Sequence, residues 1–116
     1  MIKSADELIK AAQQVVDCVD VETARKLCAD NAGAVIIDVR EADSVAQSKL
    51  NDSVHISRGL LEMKVAKVCE DPNTCILTHC AGGGRATLAA ATLREMGYEK
   101  VYAITAKYED IKSAFG

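Results

Sequence analysis

The residues whose types and order could do chemistry lie together at His79-Cys80-Ala81-Gly82-Gly83-Gly84-Arg85-Ala86-Thr87. The segment leaves a hydrophobic run, crosses three consecutive glycines and enters a stretch rich in alanine. Glycines let the backbone take positive φ angles and turn its N–H groups inward, which at a helix amino terminus builds a nest for an anion. A thiol on the floor of that nest would itself be the anion. Ionising a thiol that is ordinarily only a few per cent thiolate at neutral pH takes roughly 2.7 kcal/mol for a two-unit shift. A helix dipole supplies about 0.3–1 kcal/mol, so several amides must aim at the sulfur, with the Arg85 guanidinium adding charge at the rim. A cysteine taken alone is most simply a small buried hydrophobe. Cys80, with these neighbours at a strand-to-helix junction, reads as a reactive one.

The other candidates are weaker. Asp38 and Arg40, at the carboxyl end of a strand, either line the site or form an ion pair that holds the neighbouring turn. His79 points away from the nest if Cys80 points in, and reads with His55 as a structural imidazole. Cys18, Cys28, Cys69 and Cys75 read as ordinary thiols, with Cys75 the least reactive and Cys69, near a turn, the one candidate for an acceptor thiol. Five cysteines with no C-x-x-C spacing give neither a disulfide framework nor a zinc set, and no cofactor is expected.

The elements that must position this chemistry can be read in order. Ser4 and Glu7 form a capping-box signature for a helix over 4–15. A short strand at 17–19 is followed by a helix that Asp20 caps and that ends near Asn31 and Gly33. Ala34 to Arg40 is a buried strand, Glu41 to Leu50 a polar helix, Ser53 to Ser57 a short strand, and Leu60 to Val68 a helix. Cys75 to Cys80 is a second buried strand, Arg85 to Met96 a helix stopped by Gly97, Lys100 to Thr105 a last strand, and Tyr108 to Phe115 a last helix. Strands alternating with helices specify an α/β fold, a parallel sheet covered on both faces, with ligands bound beyond the strands' carboxyl ends.

Composition narrows the function. The chain has 116 residues, 49% hydrophobic and 27% charged, enough for one domain with its own core. The net charge of −3, with Lys and Arg scattered among acids, argues against nucleic acid. No apolar run approaches the ~20 residues that cross a bilayer. The amino terminus lacks a signal-peptide layout, so no membrane and a cytoplasmic location are expected.

Asp38-Val-Arg40-Glu41 after a hydrophobic strand, followed by Cys80-Ala-Gly-Gly83-Gly-Arg85, resembles a single-domain rhodanese over residues 17–116. Residues 1–16 are then a helical extension packed on the domain. The resemblance implies a three-layer domain with a central, mainly parallel sheet of about five strands flanked by helices. It also implies a sulfurtransferase that moves a sulfane sulfur from thiosulfate or a similar donor to cyanide or a thiol. In that role Cys80 is nucleophile and sulfur carrier, the amides of Ala81, Gly82, Gly83, Gly84, Arg85 and Ala86 stabilise its sulfur, and Arg85 fixes the loop and binds the anionic donor. Its partners would be those small molecules or a sulfur-relay protein. Two segments depart from the family pattern. Leu50 to Ser57 lacks a glycine and a proline, and Thr105-Ala106 with Tyr108 stands where a Gly-Gly pair and a tryptophan are common.

Three rival readings remain. Cysteine phosphatases and arsenate reductases share a Cys-to-Arg loop, but phosphatases of the His-Cys type use one residue more. The shorter loop removes up to ~3.5 Å of chain from the cradle. A Walker loop would need Gly-Lys-Ser/Thr where Gly84-Arg85-Ala86 stands. A catalytically silent docking module of the same fold would not need the thiol.

Overall fold

The computed structural model describes residues 1–116. Helix α1 (Ala5–Gln13) opens on the expected capping box, Ser4 accepting from the Glu7 amide. Strand β1 (Asp17–Val19) leads to α2 (Val21–Asp30), where Asp20 accepts from the Thr23 amide. Strand β2 (Val35–Asp38), helix α3 (Ala42–Gln47) and strand β3 (Ser53–His55) follow. A single 3-10 turn at Arg58–Leu60 feeds α4 (Leu61–Val68). The remaining elements are β4 (Ile76–His79), α5 (Gly84–Met96), β5 (Val101–Ile104) and α6 (Tyr108–Phe115).

Helix α3 is shorter than its sequence suggests, and the reason is tertiary. Ser48, extended at ψ 136°, gives its carbonyl to Arg40 and its hydroxyl to Tyr108, which ends the helix. Helix α5 stops where expected, with Gly97 at φ 114° and the Tyr98 amide donating back to the Leu93 carbonyl.

The five strands form one sheet in the order β1-β5-β4-β2-β3, and every pairing is parallel. The sheet is therefore wholly and not merely mainly parallel. Its two faces bury separate apolar clusters. One joins Ile37, Ile76 and Ala103 to Leu61 and Val65 of α4 and to Ala86, Ala89, Ala90 and Leu93 of α5. The other joins Ile36, Leu77 and Ile104 to Ala24 of α2 and Ile111 of α6. Helix α1 lies against α5 as an added layer on the first face. No helix is long and apolar enough to cross a membrane.

Central β4 is buried along its length, so successive side chains enter opposite clusters. Ile76, Thr78 and then Cys80 face α5; Leu77 and then His79 face α6. One strand end thus delivers the thiol and the imidazole to different sides of the sheet.

Candidate functional site

Cys80 stands one residue beyond β4 and is only 2% exposed. Its Sγ accepts the Gly83 N–H at 3.1 Å and the Ala86 N–H at 3.4 Å. Of the six amides from Ala81 to Ala86, those two reach the sulfur. Both donors are held. The Gly83 carbonyl accepts the Thr87 amide at 2.9 Å and the Thr87 hydroxyl at 2.7 Å, and the Ala86 carbonyl accepts the Thr78 hydroxyl at 2.7 Å.

The three glycines have different reasons to be there. Positive φ is confined to Gly83, the cap of α5, at φ 107°. A Cβ on Gly83 would stand 3.1 Å from the Cα of Thr105, and one on Gly84 would stand 3.0 Å from Cδ1 of Ile9 in α1. Gly82 faces open space. The expectation that all three supply left-handed backbone is corrected to one, the others serving close approach or nothing visible.

Arg85 is half-buried on the first turn of α5. The arginine side-chain bonds and ion pairs of the protein are made by Arg40, Arg58 and Arg94, which leaves the Arg85 guanidinium without a protein partner. It is available to an incoming anion.

Asp38 and Arg40 form the ion pair and do not touch the thiol. Arg40 donates from Nε at 3.0 and 3.1 Å and from its terminal nitrogen at 2.7 Å, and its amide donates to the same carboxylate at 3.0 Å. Their side chains are 0% and 6% exposed. Burial alone would raise the Asp38 pKa, but the hydrogen bonds from Arg40, helped by nearby positive charge, hold it below the usual carboxylate range. The same side-chain bonds to the Asp38 carboxylate raise the Arg40 pKa.

His79 is fully buried on the α6 face, and its ring lies 6.1 Å from that of Tyr108. It points away from the thiol, as expected for a structural imidazole, but it is not a satisfied one. Neither ring nitrogen has a hydrogen-bond partner, and Nε2 is 3.6 Å from the Asp38 carboxylate. Burial pushes its pKa down, against the pull of Asp38, so the ring is held neutral. The Nε2–H of His55 donates to the Arg40 carbonyl at 2.8 Å, with Ser57 Oγ 3.1 Å away, a structural tie.

Cys28, Cys69 and Cys75 have thiols pushed up by burial. Cys69 is 3% exposed and, unlike the equally buried Cys80, has no amide donating to its sulfur to offset burial, which argues against its reading as an acceptor thiol. Two residues near the site were not read as site residues from the sequence. Cys18 is exposed and lies 3.8 Å from Thr87 Oγ1. Tyr108 touches the loop through its amide, which donates to the Ala81 carbonyl at 3.0 Å. The sequence marked Tyr108 only as a departure near the end of the chain, and the folded sheet is what brings it beside the strand ends.

The chain is similar to known proteins. The family model for the rhodanese-like domain matches residues 20–114. A thiosulfate sulfurtransferase GlpE of Stutzerimonas stutzeri is 32% identical over 79 residues, covering 68% of this chain and 71% of the relative. The polysulfide-sulfur transferase of Wolinella succinogenes superimposes with a TM-score of 0.71 at 32% identity, over 87% of this chain and 76% of that one. A Rhodopseudomonas palustris protein described as of unknown function and a possible tyrosine phosphatase gives a TM-score of 0.79 at 24% identity, over 100% of this chain and 94% of its own. That last likeness speaks to the fold alone.

Proposed function

The chain belongs to the rhodanese-like domain family, and from that premise we propose that it is a sulfurtransferase whose sulfur carrier is Cys80. The observation that supports this best is the pair of amides on the Cys80 sulfur at the start of α5. Hydrogen bonds to an ionised acceptor contribute roughly 1.5–3 kcal/mol each, so two outweigh the ~0.3–1 kcal/mol of a helix dipole.

The reaction has two halves. The Cys80 thiolate attacks the outer sulfur of thiosulfate; the sulfur–sulfur bond of the donor breaks and sulfite leaves with its electron pair. Cyanide or an acceptor thiolate then attacks the outer sulfur of the Cys80 persulfide, and the Cys80 thiolate leaves. The products are thiocyanate or the acceptor's own persulfide, and the kinetics are ping-pong. Arg85, free of protein partners, binds the oxyanion of the donor. Asp38 and Arg40 support the turn behind the loop. The acceptor is a small thiol or a cysteine of a relay protein. Residues 1–16 extend a 17–116 domain, with Ile9 seated against the loop at Gly84. The five free cysteines fit a reducing compartment such as the cytoplasm.

Thiosulfate and cyanide are mixed with the protein and with Cys80→Ser, and thiocyanate is followed. Activity confined to the unmodified protein, with one added sulfur on the Cys80 peptide by mass spectrometry, is the expected result. Equal activity in both proteins removes Cys80 from the mechanism, and activity in neither favours a docking module.

A further inference from the structure

Both neighbours of Cys80 in the chain are gripped by one side chain and its own backbone. The ring of Tyr108 stacks on that of His79, 6.1 Å between centroids with 25° between planes. The amide of Tyr108 donates to the carbonyl of Ala81 at 3.0 Å. His79 precedes Cys80 and Ala81 follows it. We propose that Tyr108 is a positioning residue for Cys80, aiming its sulfur at the Gly83 and Ala86 amides by holding the residues on either side; the inference rests on the sulfur-carrier reading only for its kinetic arm.

The tyrosine is itself fixed from two further sides. The guanidinium carbon of Arg40 lies 4.0 Å from the ring centroid, a cation on a π face. The phenol oxygen is 2.7 Å from Ser48 Oγ, and the terminal nitrogen of Arg40 donates to the Ser48 carbonyl at 2.6 Å. The ends of β2, α3 and β4 and the start of α6 therefore meet on this ring. Asp38 anchors Arg40 by accepting from its terminal nitrogen at 2.7 Å and stands 3.6 Å from His79.

His79 needs such a clamp more than an ordinary core residue does. Neither of its ring nitrogens has a hydrogen-bond partner, so the ring's orientation depends on packing against Tyr108 and Asp38. The His79 backbone is tied to β2, its carbonyl accepting the Val39 amide at 3.0 Å, but without the aromatic face no directional contact holds its ring. The Ala81 contact comes from a backbone group, so a side-chain substitution reaches it only by letting the start of α6 shift. Neither contact touches the sulfur, so Tyr108 acts through the geometry of the Cys80 main chain.

The test compares Tyr108→Leu, which removes the ring, with Tyr108→Trp and Tyr108→Phe, which keep an aromatic face. The first readout is the amide proton shifts of Gly83 and Ala86 by NMR, referenced to Cys80→Ala. Tyr108→Leu should move both signals toward the Cys80→Ala positions, and the aromatic variants should restore them. The second is persulfide formation from thiosulfate in a single turnover. Its limiting rate should fall roughly ten- to a hundredfold in Tyr108→Leu, as a misaimed reacting group does, with the half-saturating thiosulfate concentration little changed. Should Tyr108→Leu not fold, Tyr108→Met, which keeps a long apolar side chain without a π face, carries the same expectation. Unchanged amide shifts in a folded ring-less variant overturn the proposal, as do unchanged transfer rates where the unmodified protein is active. Moved shifts in a protein that transfers no sulfur leave the positioning role standing and defeat the sulfurtransferase reading instead.

Discussion

Replacing Gly83 by alanine separates backbone strain from crowding at the Cys80 loop. Gly83 has φ 107° and ψ −19°, a left-handed geometry that costs an L-residue roughly 1–2 kcal/mol. Its new Cβ would also stand 3.1 Å from Thr105 Cα and 3.3 Å from Thr105 Cβ and Cγ2, where the nearest atom is backbone and cannot rotate away. Overpacking of that kind adds about 1–3 kcal/mol. Gly97 is the internal control, because its φ of 114° carries the same strain while a Cβ there meets nothing within 4 Å. Urea denaturation of both variants should therefore place Gly97→Ala about 1–2 kcal/mol below the unmodified protein and Gly83→Ala roughly 2–5 kcal/mol below it. The larger loss is a big share of the ~5–15 kcal/mol that holds a typical domain together. The Gly83 amide is also the shorter of the two donors to sulfur, so the shift forced by Thr105 should lower sulfur transfer even under folding conditions. Two variants destabilised equally, within about 0.5 kcal/mol, would refute the crowding argument.

Other perturbations probe the rest of the site. Asp38→Asn leaves the buried Arg40 guanidinium without its counter-charge and should cost roughly 3–5 kcal/mol by denaturation; a loss below about 1 kcal/mol would mean the pair is dispensable. The folded Asp38 pKa is depressed, so its contribution is present above the unfolded value near 3.9 and is lost as pH falls through the lower folded one. The His79 pKa is also lowered in the fold, so the unfolded chain takes up that proton first and stability declines as pH drops below about 6.5. His79→Leu should flatten that part of a stability-against-pH curve, and an unchanged slope would assign it to another group. Arg85→Ala removes a guanidinium with no protein partner, so stability should stay within about 0.5 kcal/mol while transfer from thiosulfate falls more than transfer from an uncharged persulfide donor. An equal loss with both donors would point to a rearranged loop.

The order of the elements was legible because its signals are local. Ser4 and Glu7, Asp20 and Gly97 act within a few residues of themselves, and the caps they form fall where the sequence places them. The Cys80 loop was legible for the same reason, as a thiol, glycines and an arginine at one strand-to-helix junction. The alternation of β4 even foretold that Cys80 and His79 part to opposite faces.

The tertiary structure decided the choice of partners. Nothing short-range distinguishes an Asp38 that lines a site from one paired with Arg40, or shows that two of six amides reach a sulfur, at Gly83 and Ala86. Tyr108 and Ser48 are 60 residues apart in the chain. Their meeting with His79 and Arg40 required the order β1-β5-β4-β2-β3, which sets the ends of β2 and β4 side by side beneath the start of α6. Local sequence fixes which groups are offered, since dihedral and capping preferences belong to each residue and its near neighbours. Their pairing is settled by packing energies summed over the whole sheet, and those exist only once the chain has closed on itself.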